Sequence, residues 1–319
     1  MLASPVFKWR WLLIACIFIL IVCITFYEPA SEILCKAERS EGAGGLSQLL
    51  LNASEKCRIS RDNPCLRPFV PMGANFLSTD DKKIAICKIA KTMSTTLTAT
   101  VCYLDREQEF LAQNRSIHTE IYDTRFCGKR IEKIGTPISG NDTIDDWNML
   151  AIIRHPLERF MSGFIDKCIW MAMIPKYAHF CYGCKGNLPC FLDRLYKHAL
   201  RFSGTENWRH IGFVGLHFYP QNWYCNFLEF PQMKVIRFTN GPEGLSRMRN
   251  EFLGFLKEAK VADTQLKYIE SELSLKSPHQ MTDSTLMDKY LAELFSSQAL
   301  LDKFMQIFYY DFLLFGFTV

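Results

Sequence analysis

The segment AICKIAKTMSTTLTAT, residues 85–100, joins a short apolar run to one lysine, Lys91, and a group of hydroxyl side chains. The apolar run predicts a buried strand at Ile84–Ile89, and the residues from Ser94 onward predict a helix. The free N–H groups and the dipole of a helix N-terminus favour a bound anion. The segment is therefore typical of a phosphate-binding loop, although on its own it also fits an ordinary capped helix with a surface lysine.

The loop around Lys91 differs from the loop of nucleotide triphosphatases. The nearest glycine before Lys91 is Gly73, so the pattern G-x-x-x-x-G-K-[ST] is absent. Lysine supplies a mobile positive charge, and hydroxyls at Ser94, Thr95 and Thr96 add hydrogen-bond donors. We therefore expect a phosphate loop of another kind.

A second segment, MLAIIRHPLERFMSGFIDK at residues 149–167, has the same strand–turn–helix character. The strand Met149–Ile153 leads to Arg154, and Pro156 lies where a helix tolerates proline, at its start. Ser162 follows eight positions after Arg154. An arginine leaving a strand and a serine two turns along the next helix can converge on one phosphate.

The remaining pattern places these segments in one layered domain. A further strand is predicted at Met233–Phe238, and amphipathic helices at 241–259 and 285–308. Alternating strands and helices predict an α/β fold with a mainly parallel central sheet flanked by helices. Hydrophobic residues make up 49% of the chain, enough for a sizeable core, and the mild net charge of +4 does not indicate a nucleic-acid partner.

The N-terminus predicts a membrane anchor. Sixteen uncharged residues, Trp11–Phe26, follow a short basic segment, which predicts a cytosolic tail at 1–10 and a single transmembrane signal-anchor at 11–27. A cleaved signal peptide is the alternative. Residues 28–80, rich in glycine and proline, are predicted to form a lumenal stem, and 81–319 the catalytic domain.

Sequons and cysteines also indicate a lumenal protein. Glycosylation is predicted at Asn52, Asn114 and Asn141. The chain has 13 cysteines, four of them crowded between positions 168 and 190. In a cytosolic protein that cluster would suggest zinc, but behind a membrane anchor we expect disulfides, with their connectivity left open.

The two strand–loop–helix segments resemble motifs of the Golgi carbohydrate sulfotransferases, in the branch of the chondroitin and HNK-1 enzymes. The family's 5′-phosphosulfate motif is matched by a lysine and three hydroxyls: Lys91, Ser94, Thr95 and Thr96. Its 3′-phosphate motif, Arg-x-Pro-x-x-Arg-x-x-Ser, is matched by Arg154, Pro156, Arg159 and Ser162. Segments 215–227, with His217, and 308–317, with Asp311, also resemble the family, so the likeness covers about residues 80–319.

The resemblance implies a type II Golgi enzyme that moves a sulfuryl group from 3′-phosphoadenosine-5′-phosphosulfate (PAPS) to a glycan hydroxyl. Chondroitin, modified at the 4-O position, is the expected acceptor, no metal is required, and a homo-oligomer is possible. Two departures from the family motif, Met93 and Leu97, motivate an alternative: a weakly active or inactive glycan-binding scaffold with the same fold.

The implied mechanism assigns roles to individual residues. Lys91 would stabilise the leaving phosphate, and Arg154 and Ser162 would bind the 3′-phosphate. Arg159 is either a further phosphate contact or a structural ion-pair partner. His217 is the first candidate for the general base, and His118 and Glu120 are the others.

Overall fold

The computed structural model describes residues 28–29, 57, 64–138, 140–205, 207, 211–275 and 284–317. These residues form a central sheet with helices packed on both faces. The expected cytosolic tail, the span at 11–27 and the sequon at Asn52 lie outside them. Within the described residues, no helix is both long and apolar enough to cross a bilayer.

The central sheet has six strands in the order β1-β6-β5-β3-β2-β4. In chain order the strands are β1 (Glu28–Pro29), β2 (Asn75–Thr79), β3 (Ile84–Cys87), β4 (Glu132–Ile134), β5 (Asn148–Arg154) and β6 (Lys234–Phe238).

The sheet is parallel only at its centre. Strand β5 pairs in parallel with both β3 and β6. The outer pairs β2–β3, β2–β4 and β1–β6 are antiparallel. The expectation of a mainly parallel sheet is therefore wrong at both edges. The physical reason at one edge is connection length, because the few residues between β2 and β3 allow a hairpin but no crossover helix.

Nine α-helices complete the described part of the chain. They are α1 (Ser94–Asp105), α2 (Glu107–Ala112), α3 (Pro156–Phe164), α4 (Leu188–Thr205), α5 (Gly212–Phe218), α6 (Pro242–Glu258), α7 (Asp263–Ser274), α8 (Ser284–Phe295) and α9 (Gln298–Leu314). A π-helical turn, Ile165–Trp170, continues α3 directly. The single helix expected over 285–308 is in fact two, because α8 ends at Phe295 and α9 begins at Gln298.

Side chains alternate across the sheet and form two separate apolar cores. In β5, Met149 and Ala151 belong to one core and Leu150 and Ile152 to the other. Helices α3, α4 and α9 cover the first face, and α1, α6 and α7 cover the second. Burial on both faces explains why the sequence of β5 is a continuous apolar run rather than an alternating one.

The segment before β2 packs into the same body. Leu66, Val70 and Met72 are buried in the first core, and β2 itself pairs with β3. These residues lie within the predicted stem, so part of the stem segment contributes to the sheet and its core. The division of the chain at residue 81 otherwise stays a prediction.

Within the part of the chain that the structure describes, ten cysteines form five disulfides. The pairs are Cys57–Cys65, Cys87–Cys225, Cys102–Cys127, Cys168–Cys181 and Cys184–Cys190. The crowded cysteines between 168 and 190 thus form disulfides, as expected, and the structure pairs them with one another. In the described residues, no group of three or more His, Cys, Asp or Glu side chains could hold a metal ion.

Candidate active site

The carboxyl ends of the three parallel strands bring the candidate site together. Lys91 follows β3, Arg154 is the last residue of β5, and Asn240 follows β6. Ligands of open α/β sheets bind outside this edge, so the topology itself places the two sequence motifs side by side.

The loop from β3 to α1 turns through two left-handed residues. Lys91 has a φ of 68° and Met93 a φ of 65°. Such backbone in a non-glycine residue costs about 1–3 kcal/mol and persists only where the surroundings hold it, often at functional sites. The Thr92 hydroxyl, donating to the Ile89 carbonyl at 2.9 Å, fastens the turn from inside.

The start of α1 offers backbone donors beside Lys91. The Leu97 N–H is bonded to the Met93 carbonyl. The N–H groups of Ser94, Thr95 and Thr96 precede it and therefore have no acceptor within the helix. The three side chains are half-buried.

Met93 and Leu97 are accommodated on the apolar side of this helix. Leu97 is buried in the second core, and the half-buried Met93 packs against the same core. The Met93 side chain therefore contributes to the packing of α1 against the sheet.

Arg154 links the two motifs physically. Its Nη1 donates to the Lys91 carbonyl at 3.3 Å, and its Nη2 donates to Asn240 Oδ1 at 2.9 Å. Its Nε donates to Glu158 Oε2 at 3.4 Å, and its guanidinium lies over the Phe238 ring. Three contacts leave two of the five N–H donors of a guanidinium for a ligand.

The backbone of Arg154 is clamped by a buried glutamine. Gln221 Oε1 accepts from the Arg154 N–H at 2.8 Å, and Gln221 Nε2 donates to the Arg154 carbonyl at 2.7 Å. The Gln221 N–H donates in turn to Asp311 Oδ2 at 2.7 Å. Asp311 is fully buried and also accepts from the backbone and side-chain amides of Asn222. A carboxylate of α9 thus orders the loop that fixes Arg154.

Arg159 contacts protein carbonyls rather than open space. It is 1% exposed and donates to the carbonyls of Ala90 at 3.0 Å and Tyr219 at 2.9 Å. Its Nη2 reaches the His217 carbonyl at 3.3 Å and the Tyr224 hydroxyl at 3.2 Å. Arg159 therefore ties the Lys91 loop to the segment that carries His217.

Lys91 is paired with a carboxylate that the sequence analysis did not single out. Lys91 Nζ lies 2.9 Å from Asp166 Oδ2, and Lys167 Nζ lies 3.0 Å from the same oxygen. Burial lowers the pKa of Lys91, and Asp166 opposes that shift. Burial would raise the pKa of Asp166, but the Lys91 and Lys167 ammonium groups outweigh it and hold that pKa below its usual range.

His217 lies close enough to Lys91, Lys167 and Asp166, which together form the Lys91 cluster, for their charges to act on its ring. Burial, with smaller contributions from the ammonium groups of Lys167 and Lys91, lowers its pKa to about 4. Its Nδ1 lies 2.8 Å from the Phe213 carbonyl. A carbonyl only accepts, so in the neutral ring Nδ1 carries the proton and Nε2 keeps a free lone pair. At neutral pH the ring is in the form that a general base requires.

The other two base candidates are held elsewhere. The backbone N–H of His118 donates to Glu272 on α7. Glu120 is buried, pairs with Arg115 and accepts from the Phe126 N–H. None of these partners belongs to the Lys91 cluster. Ser162, by contrast, is buried on α3, the helix that begins just after Arg154.

Several residues of this site were missed by sequence reasoning. Asp166, Gln221 and Asn240 act through contacts with residues 75, 67 and 86 positions away. The available signal was the position of Asp166 and Lys167 at the end of the second motif.

The arrangement is suited to an anionic ligand with two charged groups. Lys91 and Arg154 are cations at the ends of neighbouring strands, and helix N–H donors lie beside Lys91. A molecule that carries two phosphate groups, such as PAPS with its 3′-phosphate and its 5′-phosphosulfate, suits this pair of cations and donors. The fold and the site define a class of α/β proteins in which cationic side chains and helix N–H donors converge at the carboxyl edge of a parallel sheet core.

Comparison with known proteins makes the class specific. The model of the sulfotransferase family matches residues 74–318, and the chain belongs to this family. The carbohydrate sulfotransferase chst-1 of Caenorhabditis elegans is 26% identical over 324 residues, with 97% of each chain covered. The vep-2 protein of the same worm, provisionally described as a sulfotransferase, is 27% identical over 306 residues, which cover 86% of this chain and 93% of its own. No solved structure gives a significant match.

Proposed function

We propose that this protein is a PAPS-dependent carbohydrate sulfotransferase. The observation that carries the proposal is the contact between Arg154 Nη1 and the Lys91 carbonyl, which joins two anion-binding motifs 63 positions apart. Family membership supports the reaction class, and the printed name of the relative chst-1 supports a carbohydrate acceptor.

The residues of the β3–α1 loop would bind the phosphosulfate end of the donor. When bound, PAPS supplies a sulfuryl group attached to a phosphate that leaves. The Lys91 ammonium would stabilise the negative charge that develops on that phosphate. The hydroxyls and N–H groups of Ser94, Thr95 and Thr96 would donate to the same oxygens.

Residues at the end of β5 and on α3 would bind the second phosphate group of the donor. Arg154 and Ser162 would hold the 3′-phosphate, whose recognition distinguishes PAPS from other adenine nucleotides. Because Arg159 already donates to four protein oxygens, we assign it the positioning of both loops rather than a direct phosphate contact.

His217 is our assignment for the general base. The proton of the acceptor hydroxyl would pass to Nε2, the free nitrogen of the neutral ring. The acceptor that we propose is chondroitin, modified at the 4-O position. This choice rests on the resemblance of the motifs around Lys91, Arg154 and His217 to the chondroitin branch.

We also propose a single-pass type II protein of the Golgi membrane. Five disulfides suit an oxidising lumen. Two sequon asparagines, Asn114 and Asn141, are exposed on the folded body and accessible to glycosylation. The apolar segment 11–27 would supply the anchor.

A transfer assay tests the proposal. The full-length chain is incubated with radiolabelled PAPS and a panel of desulfated glycosaminoglycans, and labelled chondroitin is the expected product. Lys91→Ala and Arg154→Ala should each lower kcat/KM by about a hundredfold or more, since each removes a charge-assisted contact to the donor.

Two exposed residues of α4 serve as matched controls. Lys197→Ala and Arg201→Ala remove the same side-chain types from the exposed surface of α4 and should leave transfer unchanged. Calorimetry with 3′-phosphoadenosine-5′-phosphate (PAP) measures donor binding separately. Wild-type transfer by the Lys91 and Arg154 variants would refute the assigned roles, and absence of PAP binding by the wild-type chain would refute the donor.

A further inference from the structure

The Lys91 ammonium shares its counter-charge with a second lysine. Both Lys91 Nζ and Lys167 Nζ lie within 3.0 Å of one oxygen of Asp166. The side chains of all three residues are largely buried, with exposed fractions of 17%, 16% and 26% for Lys91, Lys167 and Asp166. Solvent therefore screens the charges of this triad, Lys91, Lys167 and Asp166, only weakly, and the protein sets its geometry.

The backbone that carries Asp166 is unusual in itself. Helix α3 is regular up to Phe164, and the chain then forms a π-helical turn over Ile165–Trp170. Such turns are rare and frequently lie at functional sites, because the wider turn redirects the side chains that it carries. The disulfide of Cys168 with Cys181 fixes this turn from within.

The triad also connects two sides of the site. Lys91 lies on the donor side, in the loop after β3. Lys167 lies over the Phe213 ring at 5.9 Å, and the centroid of that ring is 4.3 Å from the centroid of the His217 ring. Asp166 is therefore the group that joins the leaving-group lysine to the surroundings of the candidate base.

We propose that Asp166 is a positioning residue that holds the Lys91 and Lys167 ammonium groups in fixed places for sulfuryl transfer. This inference rests on the proposed sulfotransferase reaction. A carboxylate oxygen that accepts from two ammonium groups is a weak proton acceptor, which argues against Asp166 as the general base. As an anion beside a phosphosulfate site, it opposes donor binding while it orders the lysine that the reaction uses.

The proposal predicts a split between rate and affinity. In Asp166→Asn, kcat should fall about tenfold or more, because one charge-assisted contact that orients Lys91 is lost. The affinity for PAP should stay unchanged or rise, because a negative charge near the phosphates is removed. A merely structural role would weaken both together.

The pH dependence of PAP binding gives a second readout that needs no turnover. The charged groups that act on Lys91 are Asp166 and Lys167 on the π-helical turn and Arg154 at the end of β5. Among these groups, Asp166 alone raises the pKa of Lys91. In Asp166→Asn, Lys91 should therefore lose its proton at a lower pH, and the decline of PAP affinity with rising pH (the alkaline decline) should begin at a lower pH. Asp166→Glu keeps the charge and should keep the alkaline decline near its wild-type position.

The experiment compares the full-length wild-type chain with Asp166→Asn, Asp166→Glu and a control, Asp193→Asn. Asp193 pairs with Lys197 at 2.7 Å on the exposed face of α4, and its variant should behave as wild type. Calorimetry with PAP from pH 6 to 10 is combined with sulfate transfer and thermal melting.

The outcomes separate the two proposals. An unchanged kcat and pH profile in Asp166→Asn would overturn the role of Asp166, as would a parallel loss of kcat, PAP affinity and melting temperature. If the wild-type chain binds PAP but transfers no sulfate, the proposed function fails, and the shift of the alkaline decline still tests Asp166. If the wild-type chain does not bind PAP, both proposals fail.

Discussion

Replacing Arg159 with methionine distinguishes a structural arginine from a phosphate ligand. Arg159→Met keeps an unbranched apolar stem but removes every donor. The carbonyls of Ala90, Tyr219 and His217 and the hydroxyl of Tyr224 would each lose a contact between 2.9 and 3.3 Å long. Because Arg159 is 1% exposed, solvent cannot readily replace those contacts.

The expected cost follows from the two best contacts. Hydrogen bonds from a charged donor contribute about 1.5–3 kcal/mol each, and the contacts to Ala90 and Tyr219 are the shortest. The methionine avoids the desolvation of a buried guanidinium, which offsets part of this loss. We expect a net decrease of about 3 kcal/mol in the free energy of unfolding.

Urea unfolding with the disulfides intact measures this decrease. A loss of about 3 kcal/mol corresponds to a midpoint lowered by about 1 M, if m is about 3 kcal/mol/M for a domain of this size. Arg201→Met, on the exposed face of α4, is the control and should leave the midpoint unchanged. A wild-type midpoint in Arg159→Met, together with lost PAP binding, would refute the structural role and make Arg159 a phosphate ligand.

Three further changes test other parts of the site. His217→Asn should lower kcat at least a hundredfold. In the folded chain the pKa of His217 is about 4, below the ordinary value of 6.5, so the neutral ring contributes stability above pH 6.5 that is lost as the pH falls toward 4. The melting temperature of His217→Asn should therefore depend less on pH between 6.5 and 4. Asp311→Ala leaves the amides of Gln221 and Asn222 without an acceptor and should cost about 3 kcal/mol or more in urea unfolding. Replacing Cys87 and Cys225 together by alanine should cost about 2–5 kcal/mol by the same measurement, and equal stability would show that this disulfide does not support the loop.

The local elements of the site were predictable from sequence. Strands β3, β5 and β6 lie at the predicted positions within one or two residues, as do the helices that begin at Ser94 and Pro156. Strand and helix periodicity is a property of neighbouring residues, so it is readable without the fold. The sheet edges were not, because β4 has only three residues and β2 lies in a segment whose prolines and glycines resemble a stem.

Contacts between residues that are far apart in the sequence could not be predicted from it. The sequence left Arg159 open between two roles, and its four partners lie 58 to 69 positions away. The pairing of the cysteines was open for the same reason. Even the position of Met93 depended on tertiary structure, since only the packing of α1 on the second core directs that side chain.

The sequence by itself therefore determined which chemical groups the site would contain. Lysine, hydroxyls and arginine follow apolar strands in an order that indicates an anionic ligand, and their identity does not depend on the rest of the chain. The tertiary structure decided how these groups are held, because a carboxylate such as Asp166 or Asp311 acts over about 3 Å and only folding brings it that close. Burial then lowers the pKa values of Lys91 and His217, because desolvation that no stretch of sequence specifies disfavours their charged forms.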